Sequence, residues 1–162
     1  MSKSATKADL ERVVQEHPIE NLIPHSQPMV LIDRIVNIET DSLVAEIDIH
    51  QHVRFWDEAS GGVPTWVAIE YMAQAIAALA GCKALALGES VKLGFLLGSR
   101  KFGINRPVLE SEKTFKILVE QLYMDDSGLA SFQCKVADGI NEYANAKLNV
   151  FETDDVSQVL AG

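Results

Sequence analysis

Three features of the 162-residue sequence predict an α+β fold in which an antiparallel sheet wraps around one long central helix. One stretch, TWVAIEYMAQAIAALAGCKALALG, has the length of a helix and is apolar nearly all round, which suits a helix buried on most sides. Segments on both sides of it alternate apolar and polar residues with period two, as half-buried strands do. The order is strands, then the helix, then a meander of strands joined by turn residues, which is the layout of an antiparallel sheet with a helix on one face.

In chain order, residues 6–16 read as a short amphipathic helix with Leu10, Val13 and Val14 on one face, stopped by Pro18. Met29 to Val36 is a nearly continuous apolar run broken by Asp33 and Arg34. Leu43, Ala45, Ile47 and Ile49 then alternate with Val44, Glu46 and Asp48. Asp57 to Gly62 reads as a loop, and Pro64 suits the first turn of the central helix, expected over about 64–87 and ended by Gly88. The alanines of that helix are small enough to let neighbouring strands come close. Four strands follow: Lys92 to Phe102, then segments carrying Phe115, Ile117 and Val119, then Phe132, Cys134 and Val136, then Ala144, Ala146, Leu148 and Val150. Asp138-Gly139 is a two-residue hairpin signal and Asp126-Ser127-Gly128 a looser turn. The acidic stretch after Phe151 reads as a frayed tail, and residues 1–162 read as a single domain.

Hydrophobic residues at 48% and charged residues at 23% give the profile of a soluble globular chain rather than a disordered one. A net charge of −9 argues against nucleic acid as a partner, because phosphate binding needs a basic surface. Glu70, Gln74 and Lys83 interrupt the long apolar stretch and argue against a membrane span. Cys82 and Cys134 lack the spacing of a disulfide framework or a zinc site, so neither a metal nor a cofactor is expected. No apolar run follows the basic start, which points to the cytoplasm.

Glu70 is the most informative single residue. It stands inside an otherwise apolar helix, where burial would disfavour the charged form of a carboxyl and ready it for proton transfer. Gln74 lies one turn later on the same face, in reach to hydrogen-bond the carboxyl and orient it. The plainer alternative is a solvated glutamate at the rim of the helix. His50 and His52 sit at a strand end, and His17 in a connector.

The segment VPTWVAIEYMAQ, Val63 to Gln74, resembles the start of the central helix in hot-dog 3-hydroxyacyl-acyl-carrier-protein dehydratases, whose pattern is GHFP, a short loop, PGV and an apolar run ending in EAMAQ. LIPHSQPMVLIDRI, Leu22 to Ile35, is similar to their LLPHRYPFLLVDRV. Gly94 to Val108 and Asp138-Gly139 are weaker echoes of the strand after the helix and of a late VDG hairpin, so the likeness covers roughly residues 20–152. The resemblance implies a hot-dog fold and the dehydration of a 3-hydroxyacyl thioester on acyl carrier protein to a trans-2-enoyl thioester. It implies a site shared across a dimer. A histidine of one subunit takes the proton at C2, a helix glutamic acid of the other helps water leave from C3, and backbone N–H groups at the helix start polarise the thioester carbonyl.

Glu70 and Gln74 take the family's places, and Pro64, Thr65 and Trp66 fall at its thioester pocket, with Thr65 where the family has glycine. The histidine does not carry over. Depending on the alignment its place is taken by Trp56, Glu58 or Ala59, in a loop about three residues short. His52 is the nearest substitute, His25 lies in the matching first-strand motif but not at the catalytic place, and Asp57 and Glu58 are possible carboxylate bases. The dehydratase-like subgroup of aryl polyene pathways fits better. It resembles this chain in LPHSxPMxLxD, in FFD before a Gly-rich loop (here Phe55-Trp56-Asp57) and in LPGWxxLEYMAQ, and it lacks the histidine. Arg100, Lys101 and Arg106, with Lys92 at the start of the same strand, would attract an acidic carrier protein. The partners expected are acyl carrier protein and a second hot-dog subunit, in a homodimer or a heterodimer. The alternatives are a half-site acyl-binding subunit and a hot-dog thioesterase in which Glu70 activates water.

Overall fold

The computed structural model describes residues 4–25, 27, 29–91 and 93–153. The expected tail after Phe151 lies outside the described residues beyond position 153, as does Lys92.

Helix α1, Lys7–Glu16, opens with a capping box: the Thr6 hydroxyl accepts from the Asp9 N–H at 3.1 Å, and the Asp9 carboxylate accepts from the Thr6 N–H. Its Leu10 and Val13 enter the core. Strand β1, Arg34–Ile38, pairs antiparallel with β2, Ser42–Ile49. Along β2 the alternation predicted from sequence holds residue by residue, with Leu43, Ala45, Ile47 and Ile49 buried. Then come β3, Gly62–Pro64, a single 3-10 turn at Thr65–Val67, and the central helix α2, Ala68–Ala86. Strands β4 (Leu93–Ile104), β5 (Val108–Glu110), β6 (Lys113–Met124), β7 (Leu129–Ala137) and β8 (Glu142–Thr153) complete the fold.

The main sheet has six strands in the order β1-β2-β6-β7-β8-β4, every neighbouring pair antiparallel. Its buried side chains, among them Phe115, Ile117, Phe132 and Leu148, meet Tyr71, Met72, Ala75 and Leu79 of α2 in one core. Of the membrane-length window around α2, 67% is buried inside the fold, so its apolar character is that of a core helix. Burial also pushes the thiols of Cys82 and Cys134 up to about 12.

The run from Met29 joins the regular ladder at Arg34, and one expectation, the place of Pro64, needs correction. Before Arg34 the backbone of the run is held by a side chain: the Leu31 N–H donates to Gln74 Oε1 at 2.8 Å, and Gln74 Nε2 donates to the Met29 carbonyl. Pro64 ends β3, which pairs with β5 in a separate two-stranded sheet, and the regular helix starts at Ala68. A close approach to the helix by the connector before β1 is made at a glycine: a Cβ on Gly81 would stand 1.7 Å from the carbonyl oxygen of Leu22. A turn joins β7 and β8 as expected, with Gly139 at φ +96°, but it spans residues 138–141, where the Asp138 N–H donates to the Asn141 carbonyl, rather than the pair Asp138-Gly139 alone.

Candidate active site

Glu70 belongs to the first turn of α2, where the helix dipole favours a carboxylate. Three and four residues apart along the same helix face come Ala73, Ala77 and Ala80. They are half-buried, because the sheet does not cover this stripe of the helix. The alanine methyls leave a cavity of about 200 Å³ between α2 and the last two strands of the sheet. Its wall is Glu70, Ala73, Ile76, Ala77 and Ala80 from α2, Gly94 and Leu96 from β4, and Val150 and Glu152 from β8, and His25 reaches it from the connector before β1.

Glu70 is exposed in the isolated chain, which matches the solvated rim position rather than the buried carboxyl, the two readings the sequence left open; this chain alone does not withdraw it from water. Gln74 does not orient it. Although it is only 2% exposed, the amide has both ends committed to the Leu31 N–H and the Met29 carbonyl, and so holds the segment leading into β1 against the helix. His25 is half-buried, and its Nδ1 is enclosed without a hydrogen-bond partner among the described residues. A buried ring nitrogen left unpaired is costly, and such atoms gather where chemistry is done. The cavity thus brings together two carboxylates, Glu70 and Glu152, and one imidazole, His25, on an otherwise apolar wall, and a carboxyl with an imidazole is the minimum for moving a proton on and off a bound carbon chain.

The other expected residues lie elsewhere. His52 is exposed in the turn after β2, its ring 6.1 Å from that of His50 and its Nε2 3.3 Å from the Gln51 amide, and it does not line the cavity. Where the resemblance would place a histidine, the Trp56 indole donates to Glu58 at 2.8 Å. Asp57 accepts from the Ala59 N–H and forms a bridge with Gly62, so it shapes the loop. Phe55 sits at φ 69°, a region that non-glycine residues enter at a cost of about 1–3 kcal/mol, and this directs its ring edge-on to Trp66, 60% exposed, at 6.4 Å. Thr65 is buried with its hydroxyl unpartnered, and its N–H is committed to the Pro107 carbonyl at 2.9 Å, so it is not free to polarise a thioester. Pro64, Thr65 and Trp66 stand outside the cavity wall. Arg100 and Lys101 are exposed on β4, whereas Arg106 lies past its end with the guanidinium 5.5 Å over the Tyr143 ring. Among the described residues no group of three or more His, Cys, Asp or Glu side chains is arranged to hold a metal ion.

The alanine stripe is the functional feature that sequence reasoning misread. Its spacing of three and four residues after Glu70 was visible, but only the missing sheet cover on that side makes it a cavity wall.

A six-stranded antiparallel sheet folded against one central helix, with a helix carboxylate opening on a cavity beside the edge strand, is the architecture of a hot-dog protein. The chain belongs to the ApeP-like dehydratase family, whose model matches residues 17–161, and so to the dehydratase class of lyases. Among solved structures it is similar to the dehydratase heterocomplex ApeI:P from Xenorhabdus doucetiae, with 24% identity, a TM-score of 0.82, and coverage of 90% of this chain and 97% of that one. It is also similar to Cj0977, a sigma28-regulated virulence protein from Campylobacter jejuni (14% identity, TM-score 0.61, 96% and 97% covered). A hypothetical thioesterase from Streptococcus pneumoniae, solved with coenzyme A, is more distant (12% identity, TM-score 0.58, 74% and 87% covered). No curated protein matches the chain by sequence.

Proposed function

We propose that this chain supplies the acid half of a 3-hydroxyacyl thioester dehydratase, acting on a carrier-protein-bound chain in polyene or fatty acid type synthesis. The observation that carries the reading is Glu70 at the open end of an alanine-walled cavity, in a chain of the ApeP-like dehydratase family. Glu70, as the acid, protonates the hydroxyl leaving C3, while a base removes the proton at C2 and the trans-2-enoyl thioester forms with loss of water.

The cavity is bordered by β4, the edge of the sheet, whose twelve residues leave one row of backbone groups unpaired and expose Leu96, Leu97 and Ile104. Such an edge needs covering. A second hot-dog subunit paired along β4 would cover it, withdraw Glu70 from water and bring in the histidine that this chain lacks in its 55–62 loop. The similar structure from Xenorhabdus doucetiae is a heterocomplex, which supports an unlike partner. A cationic strip at Arg100 and Lys101 on the same strand suits an acidic carrier.

A self-sufficient site has one observation in its favour: the unpartnered His25 on the same cavity. The decisive assay incubates hydroxyacyl-carrier protein with the chain alone and with co-expressed hot-dog proteins from its own gene neighbourhood. Enoyl product only in the mixture, lost with Glu70→Gln, supports the shared site. Product from the pure chain, abolished by His25→Ala, assigns the base to His25 and overturns sharing. Free acid in place of enoyl product overturns dehydration altogether.

A further inference from the structure

Between Thr65 and Ala80 only Trp66 and Glu70 are exposed, and one turn of chain separates them. Trp66 therefore heads the uncovered stripe that runs on through Glu70 into the alanine wall of the cavity. It faces outward because Thr65 and Val67 on either side of it are fully buried and the Thr65 N–H is tied to the Pro107 carbonyl. Phe55 meets its ring edge-on, and does so from φ 69°, a backbone state disfavoured for a residue with a Cβ. The loop that holds this conformation is tied by its own backbone: the Asp57 N–H donates to the Gly62 carbonyl at 2.7 Å, and the Trp56 N–H to the Val53 carbonyl at 3.3 Å. The neighbouring Arg54 sets its guanidinium 5.4 Å from the centre of the Phe55 ring, exposed and without a carboxylate partner among the described residues.

We propose that Trp66, Phe55 and Arg54 form an entry groove for a phosphopantetheine arm, the thioester-bearing arm that carrier proteins and coenzyme A share, with Arg54 on its phosphate and the two rings against its apolar middle. The proposal rests on the dehydratase reading only for the chemistry at Glu70. The arm has about thirteen bonds from sulfur to phosphorus, and at roughly 1.2 Å of advance per bond in an extended chain it spans about 15 Å. The strip has matching length. Glu70 lies about 6 Å from Trp66 along the helix, the Trp66 and Phe55 rings are 6.4 Å apart, and the guanidinium follows 5.4 Å beyond the Phe55 centre. A sulfur beside Glu70 thus puts the phosphate within reach of Arg54, where a charge-assisted hydrogen bond gives it an attraction that a chain of net charge −9 lacks as a whole. The methyl and methylene groups between the two ends lie against indole and phenyl, which offer apolar area at a small cost in side-chain entropy.

Calorimetric titration of the full chain, alone and with its hot-dog partner, with phosphopantetheine and with pantetheine tests this. The wild type binds the phosphorylated probe about tenfold more tightly, the worth of one charge-assisted hydrogen bond at an exposed place. Arg54→Gln brings that ratio close to one and leaves pantetheine affinity as it was. Trp66→Ala weakens both probes on the order of tenfold, and Trp66→Phe restores part of the loss. Phe55→Asn tolerates the positive φ while removing the ring, and weakens both probes as well. In turnover by the chain with its partner, Arg54→Gln and Trp66→Ala raise KM and largely keep kcat, for hydroxyacyl-carrier protein and hydroxyacyl-coenzyme A alike, and the better substrate of the two names the source of the arm. A wild type indifferent to the phosphate, a ratio unchanged by Arg54→Gln, or a KM rise confined to the carrier overturns the groove. Loss of partner association in light scattering with probe affinities intact also overturns it and makes the strip a subunit contact. Phosphate-dependent binding without any enoyl product from the chain and its partner overturns the dehydratase reading and leaves the groove standing; enoyl product with KM untouched by both variants does the reverse.

Discussion

Gly81→Ala tests how the connector that carries His25 is held to the central helix. Helix propensity alone favours alanine by about 1 kcal/mol in the interior of α2. The structure opposes this, because the new methyl would lie 1.7 Å from the Leu22 carbonyl oxygen and 2.8 Å from its carbon. An ordinary carbon–oxygen contact is roughly 3.3–3.6 Å, so the connector must retreat by roughly 1.5 Å. The obstacle is backbone, and Leu22 and Ile23 are buried at 1% and 4% exposed, so no flexible side chain absorbs the change. Overpacking costs about 1–3 kcal/mol and occasionally more, and a clash this close with backbone stands at the upper end, about 3 kcal/mol, which leaves a net loss of about 2 kcal/mol after the propensity gain. For a chain of this size that is a fall in Tm of about 4–8 °C. His25, three residues beyond Leu22, moves with the connector, so turnover should fall even at temperatures where the variant is folded. Thermal and urea unfolding followed by circular dichroism provide the measurement. A variant as stable as the wild type, or more so, would refute the close-approach argument.

Glu70→Gln should unfold at the wild-type temperature, since the residue is exposed, while dehydration by the active assembly falls on the order of 10²–10⁴-fold; full activity would make the residue structural. Gln74→Leu leaves the buried Leu31 N–H without a partner, at about 1–3 kcal/mol, and frees the more exposed Met29 carbonyl to water, and should lower the urea midpoint even though the volume is nearly kept. Light scattering at micromolar concentration should report a dimer or larger, alone or with the partner; a clean monomer in every mixture would count against a covered β4 edge. Hydrogen bonds from Arg34 and Thr114 lower Asp48 to about 2, so its stabilising contribution is present above the ordinary carboxylate range near ~4 and is lost as pH falls toward 2. Any stability advantage of the wild type over Asp48→Asn, small for so exposed a pair, should accordingly shrink between pH 5 and pH 2.5 in urea titrations, and an advantage that grows on acidification would contradict the assignment.

The local periodicities carried the fold. The alternation of Leu43, Ala45, Ile47 and Ile49 marked β2 and its buried face, and the all-round apolar stretch marked α2, because each pattern reports directly which side of an element meets the core. Glu70 was legible for the same reason, as the charged exception in an apolar helix, and motif likeness gave it a family role. Properties that depend on residues distant in sequence could not be read this way. Gln74 looked like a partner for Glu70 one turn away, yet it is spent on backbone 43 and 45 residues earlier, since only the packed connector offers it an unpaired N–H and carbonyl. His25 and His52 were both candidate bases, and the fold carried His25 to the cavity of Glu70 while His52, closer to Glu70 in sequence, was left in an exposed turn. The alanine stripe became a cavity wall because the sheet ends at β4 and leaves that side of the helix uncovered. Composition and spacing thus determined which elements form and which faces they bury, while the sheet's edge decided where the site opens, because a cavity is made by the atoms that fail to meet.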